Sequence, residues 1–172
     1  MTIADGALVA DNGAMLRRGL LLLFLACGGS QAAPQHEKAA VVADSPAAQC
    51  IATADAKRER RADEPEKVTV KHLLVKWSGS KRAPASITRT REEACLRAQE
   101  ARSKLEKGAS FGDVVKEYSD EEGAATREGM LGSIKRADAA PAFADAAFEL
   151  HVGDVSYVVE TDFGFHVIMR TE

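Results

Sequence analysis

Val68–Lys76 reads VTVKHLLVK, and the end of the chain, Phe163–Arg170, reads FGFHVIMR. Both stretches mix β-branched and aromatic residues, the types that fit a pleated, half-buried surface, and Gly164 leads into the second. Both read as strands. Each carries one histidine, His72 and His166. Set side by side in one sheet, the two imidazoles face each other across adjacent strands. Everything between them reads as helices and loops built over that pair.

Working outward, Ser78–Ile87 (SGSKRAPASI) is polar, holds Gly and Pro, and reads as a loop. Thr90 with Glu93 three residues later forms a capping box that opens a helix. Ala94, Leu96, Ala98, Ala101 and Leu105 give this helix an apolar face, and Gly108 stands where a C′ glycine closes it. Ser110 with Asp113 opens a second, short helix carrying Phe111, Val114, Val115 and Tyr118. Asp120–Gly129 is a polar loop and Leu131–Ile134 a short strand. Pro141–Leu150 is a helix with Phe143, Ala146, Ala147 and Phe148 inward. Five apart, Phe143 and Phe148 cannot face one way, so one serves the core and the other a pocket wall. Val155–Val159 is a strand, Thr161–Gly164 a tight turn and Phe165–Arg170 the closing strand. The order β-α-α-β-α-β-β is that of an α+β sheet covered by helices. Lys67–Glu172 is long enough for a single hydrophobic core.

A chain of 172 residues favours one domain with additional sequence. The net charge of −3 gives no basic excess to attract nucleic acid, and 5% aromatics is too few for a base-stacking surface. Cys27, Cys50 and Cys95 show no CxxC spacing, so no zinc site is expected. No nucleophile motif, phosphate loop or metal spacing appears, and no cofactor is implied.

The N-terminal third reads differently. Arg17 and Arg18 precede an uninterrupted apolar run, Leu20–Ala26, followed directly by Cys27. This is the layout of a secretory signal, and the run is far shorter than the roughly 20 residues that span a bilayer. The cysteine after Ala26 makes the segment resemble a bacterial lipoprotein signal with Cys27 as the lipidated residue, although Phe24 stands where a branched aliphatic residue is usual. A simple cleaved signal and a fortuitous apolar segment are the alternatives. Met15 is a candidate start. The expected layout is a signal segment over 1–27, a flexible tether rich in Ala, Gln, Pro and Ser over 28–66, and a folded domain over 67–172. Ala47–Ala62 reads as a marginal helix ending in the run KRERR, a solvated face, with a contact to anionic lipid as the alternative. Cys50 reads as an incidental thiol; a bond to Cys95 in an oxidising compartment is the minority reading.

HLLVKWS, the loop with SKR, ITRTREEA, LEKGASF, YSDEEGA, MLGSIKR, FADAAFEL, GDVS and TDFGFHVIMRTE together resemble, in order and spacing, the parvulin family of peptidyl-prolyl cis/trans isomerases, over about Val68–Glu172. The phospho-directed branch is the nearer likeness, without its WW module. The resemblance implies a parvulin-like four-stranded antiparallel or mixed sheet. It implies that His72 and His166 are the paired histidines at the active-site floor and that Thr161 bonds one of them. Leu131 and Phe143 match walls of the proline pocket; Ala139 stands where a methionine is usual, which implies a shallower or wider pocket. Glu121 occupies the place of a cysteine or aspartate near the amide, in a loop one residue longer around Arg127-Glu128-Gly129. Lys76, Lys81 and Arg82 match the basic cluster that grips a phosphate before proline, with lysine at one arginine place and a shorter loop. Trp77, beside that loop, reads as half-buried packing, with a substrate-facing surface as the alternative.

The implied activity is rotation of X-Pro bonds in protein clients, with an acidic or phospho-Ser/Thr residue preferred before proline. A parvulin-shaped chaperone module without turnover is the alternative. The expected location is an exported lipoprotein, anchored in a membrane and facing the periplasm or exterior; the alternative is cytoplasmic.

Overall fold

The computed structural model describes residues 44–172. The expected signal segment over 1–27 with Cys27, and residues 28–43 of the expected tether, lie outside the described residues. Four antiparallel strands, β1 (Lys67–Val75), β2 (Met130–Lys135), β3 (Val159–Thr161) and β4 (Gly164–Arg170), form one sheet in the order β2-β1-β4-β3. The two histidine-bearing stretches are therefore the central pair. Four helices, α1 (Pro46–Ala54), α2 (Arg91–Glu106), α3 (Phe111–Tyr118) and α4 (Pro141–Glu149), lie about it.

Strand alternation divides the core in two. Leu73 and Val75 of β1 with Phe165 and Val167 of β4 face α1, α2 and α3. Val68 and Val70 with Ile168 face α4, through Phe143, Ala146, Ala147 and Phe148. Both faces are covered, which is why β1 and β4 read as near-continuous apolar runs. His72 lies in phase with Val68 and Val70, and His166 in phase with Ile168. The register pairs His72 with Ile168 and Leu74 with His166, so the histidines are diagonal neighbours on the α4 side.

Local signals fix the helix starts. Thr90 and Glu93 complete the expected capping box, and Ser110 accepts from the Asp113 amide. On α2 the buried stripe is Ala94, Cys95, Ala98 and Ala101, small side chains that let the helix approach the sheet. Leu96, expected inward, is 38% exposed, because it lies off the stripe that Ala94, Ala98 and Ala101 define. The strand expected over Val155–Val159 is displaced. Val155 makes only an isolated bridge to Met169, and the Ser156 hydroxyl accepts the Ile168 amide at 3.0 Å, which interrupts the ladder until β3 begins at Val159.

The tether expectation is corrected from residue 44 onward. Ser45 caps α1 by accepting from the Ala48 amide at 3.1 Å, Pro46 sits in the first turn, and Cys50 and Ala54 are buried in the core under α2. Cys50 is disulfide-bonded to Cys95, with Cα atoms 6.0 Å apart; it is not an incidental thiol. The helix ends at Ala54, short of the expected Ala62, and KRERR is not a solvated helix face. Arg58 pairs with Glu149 and lies over the Tyr157 ring, while Arg61 reaches the Glu149 carbonyl and His151. Glu64 pairs with Arg136.

Candidate active site

His72 projects from β1, His166 from β4, Thr161 from the end of β3, and Glu121 from the loop after α3. His72 Nε2 lies 2.9 Å from Glu121 Oε2, His72 Nδ1 3.3 Å from His166 Nδ1, and His166 Nε2 2.8 Å from Thr161 Oγ1. The rings are nearly parallel, 5.5 Å between centroids. Phe143 stands edge-on to both, at 5.6 and 5.2 Å.

The hydrogen-bond pattern assigns the protons from one end. An ionised carboxylate can only accept, so neutral His72 carries its proton on Nε2. Its Nδ1 then accepts, which places the His166 proton on Nδ1. His166 Nε2 in turn accepts from the Thr161 hydroxyl, whose oxygen takes the Phe163 amide at 3.2 Å. Donors run from Thr161 through His166 and His72 to Glu121, and every imidazole nitrogen is satisfied. Burial, together with neighbouring His72, pushes the His166 imidazole well below its usual range and keeps it neutral. The hydrogen bond from His72, with the Arg127 guanidinium beside it, holds the Glu121 carboxyl below its usual range against burial.

Arg127, which the sequence reading named only as part of a lengthened loop, is the second partner of Glu121. Its Nη2 bonds the same Oε2 that His72 uses, and its Nη1 donates to the Glu122 carbonyl at 3.3 Å. The longer side chain of Glu121 thus reaches both the histidine floor and this arginine. Gly129 ends the loop at φ 76°, where a Cβ would come within 2.4 Å of the His72 carbonyl; only glycine lets the loop close on β1.

These groups floor a cavity of about 530 Å³. Leu131, Ala139 and Phe143 form an apolar wall, with Leu74 beside the histidines; Lys76, Arg82, Glu122 and Asp138 stand at the rim. His72, His166, Glu121, Thr161, Leu131, Ala139, Phe143, Lys76 and Arg82 are thereby brought to one place. Lys81 is not: its ammonium lies over the Phe163 ring at 5.1 Å, outside the lining. Phe163 was missed. It carries the Arg82 guanidinium as well, at 5.8 Å. The Lys81 amide donates to the Asp162 carbonyl at 2.7 Å and Lys76 Nζ to the Arg82 carbonyl at 2.8 Å. The basic loop is thus latched to the β3–β4 turn. Among the described residues, no three His, Cys, Asp or Glu side chains converge in a way that would hold a metal ion.

A family model described as rotamase, PPIC-type PPIASE domain, matches residues 72–172. The Drosophila melanogaster protein dodo, named for peptidyl-prolyl cis-trans isomerase activity, is 42% identical over 113 residues, which is 63% of this chain and 68% of dodo. The foldase protein PrsA of Geobacillus kaustophilus is 37% identical over 119 residues, 69% of this chain but 42% of that protein. The chain thus spans less than half the length of that foldase. The structure of the peptidyl-prolyl isomerase ESS1 from Candida albicans superposes with a TM-score of 0.57 at 32% identity, over 66% of each chain.

Proposed function

The chain belongs to the PPIC-type peptidyl-prolyl cis/trans isomerase family, and from that premise we propose that it rotates X-Pro bonds in exported protein clients, with a carboxylate side chain favoured before proline. One observation carries the reading: an apolar wall of Leu131, Ala139 and Phe143 sits over a satisfied histidine floor, with Lys76 and Arg82 at the rim. The reaction breaks amide resonance, a barrier of about 18–20 kcal/mol, and forms no covalent bond to the enzyme. An acceleration of about 10⁴ needs on the order of 5–6 kcal/mol of tighter binding to the twisted amide than to the planar one. The wall holds the pyrrolidine ring while the Glu121 side of the floor faces the rotating amide.

Two features favour a carboxylate over a phosphate. Lys81 is turned onto Phe163, outside the lining, and Lys76 commits one of its three donors to the Arg82 carbonyl, which leaves fewer free donors for the three oxygens of a phosphate. The Cys50–Cys95 bond fits an oxidising compartment, where phosphorylated serine and threonine are scarce. The same bond, with the lipoprotein-like Leu20–Cys27 stretch, supports an exported, membrane-anchored protein.

A protease-free isomerisation assay on Glu-Pro, phospho-Ser-Pro and Ala-Pro peptides tests the activity and the preference together. Glu-Pro is expected to lead. A phospho-Ser-Pro lead would overturn the carboxylate reading, and absence of turnover on all three would leave a client-holding module. Mass spectrometry of the protein from its native membrane fraction tests export: the expected species carries lipid on Cys27 and no free thiol at Cys50 or Cys95.

A further inference from the structure

A second cavity, also about 530 Å³, opens beside the first and shares Ala140, Thr161 and Phe163 with it. One client segment in extended conformation can therefore lie across both, at ~3.3–3.6 Å per residue. Its apolar sides are Trp77, Phe163 and Pro141. Its polar side is Arg91, Glu160, Asp162 and Asp55. Asp55 follows α1, in the disulfide-held segment that lies N-terminal to the family domain.

The charges do not balance. Arg91 is shared: its Nε donates to Glu160 Oε1 at 2.7 Å and its Nη2 serves both Glu160 Oε2 and Asp55, the latter at 3.0 Å. One guanidinium thus faces two carboxylates, and exposed Asp162 adds a third. Burial pushes the Glu160 carboxyl upward despite the arginine fork, with Asp55 adding to the rise; Lys81 and Arg82 stand on the Phe163 ring but outside this lining, where Arg91 alone faces Asp55, Glu160 and Asp162. A long aliphatic stem ending in a cation matches this lining: its methylenes cover Trp77 and Phe163 while its head meets Asp55 and Asp162.

We propose that this second cavity is a client subsite for a lysine or arginine side chain placed within about three residues of the proline, and that Asp55 and Asp162 set its charge preference. The proposal rests on the isomerase reading of the neighbouring cavity. It makes the segment preceding the family domain a wall of the client groove and not only an attachment.

The chain contains one tryptophan, Trp77, so its emission reports directly on this cavity. The experiment uses the full chain and Ala-Pro peptides with arginine, alanine or glutamate at successive positions on either side of the proline. Turnover and Trp77 emission are both recorded. At one position arginine is expected to raise kcat/KM over alanine by about two- to fivefold, the range for a partly exposed ion pair, and glutamate to lower it. In the double variant Asp55→Asn/Asp162→Asn the arginine-to-alanine ratio is expected to return to about one. Equal values for all peptides, or a ratio that survives in the double variant, would overturn the subsite. If no Ala-Pro peptide is turned over, the isomerase reading fails separately, and the emission titration still decides: tighter binding of the arginine peptide to wild type than to the double variant upholds the subsite, and equal binding rejects it.

Discussion

The floor and the rim of the histidine-floored cavity are built on opposite terms. His72 and His166 are buried on the two central strands, each ring nitrogen has a partner, and Phe143 closes over both. The rim cations ride a loop held by two backbone-anchored hydrogen bonds and the Phe163 ring, and Arg82 sits at φ 59°, in the left-handed region. A buried side chain whose ring nitrogens all find protein partners mainly holds shape. A side chain that is exposed and backbone-strained holds charge ready for something outside. The floor should therefore fail as structure when altered and the rim as selectivity.

The sharpest way to break that contrast is His166→Ala. The variant leaves a cavity under Phe143 and strips a partner from both His72 and Thr161, so a loss of roughly 2–4 kcal/mol in urea unfolding is expected. The wild type should also lose stability as pH falls below the usual imidazole value of 6.5. There the unfolded chain binds a proton that buried His166 refuses, so the folded state is disfavoured by up to about 1.4 kcal/mol per pH unit. Glu121 adds to the acid loss lower down: its depressed carboxyl contributes stability above the ordinary value of 4.5, and that contribution disappears as pH falls through its folded value. His166→Ala should abolish the component that begins near 6.5. Unchanged stability with complete loss of turnover would make the histidine chemical and not architectural.

Arg127 lies between the two regimes. It touches no buried ring, yet it pins the carboxylate that orients His72. Arg127→Ala is expected to cost about 1 kcal/mol or less in stability, as for a half-exposed pair. It should lower kcat more than it raises KM, because the freed Glu121 no longer fixes the His72 tautomer. Arg127→Lys should recover part of the loss. A KM effect alone, or no rescue, would assign Arg127 to client binding instead.

What was legible in the sequence divides along the same line. The floor could be read because strands and caps announce themselves locally: β-branched runs around each histidine, Thr90 with Glu93, Ser110 with Asp113. Nine of the cavity residues came from the family resemblance, position by position, and Lys76, Arg82, Glu121 and Ala139 among them lie on loops. The parts that escaped depend on contacts without local period. Helix α1 buries only Cys50 and Ala54, too few to stand out in an alanine-rich stretch, and its disulfide partner is 45 residues away. Arg127 and Glu121 meet across a turn whose shape the sequence does not state. Phe163 looked like part of a strand entrance, and its role in seating Lys81 and Arg82 arises only when the β3–β4 turn meets the loop after β1. Trp77 was left open between packing and client contact, and its place on the second cavity follows from that same meeting.

The smallest expected effect on stability is also the most discriminating between the two regions. Arg82→Gly removes the rim cation and, with it, the backbone strain of a non-glycine residue at φ 59°. Relief of about 1 kcal/mol of left-handed strain is offset by the larger conformational entropy of glycine in the unfolded chain, so stability should stay within about 0.5 kcal/mol of wild type. The Lys81 amide bond to Asp162 and the Lys76 bond to the residue 82 carbonyl are both backbone-anchored and survive the change. The ratio of Glu-Pro to Ala-Pro turnover should nevertheless fall by about two- to fivefold, since a partly exposed cation is lost from the cavity. A stable variant with an unaltered ratio would mean that Arg82 tolerates its strained backbone for the loop's shape alone. The preference before proline would then have to come from Lys76. A marked loss of stability would show that the loop, although it lies at the rim, is built like the floor.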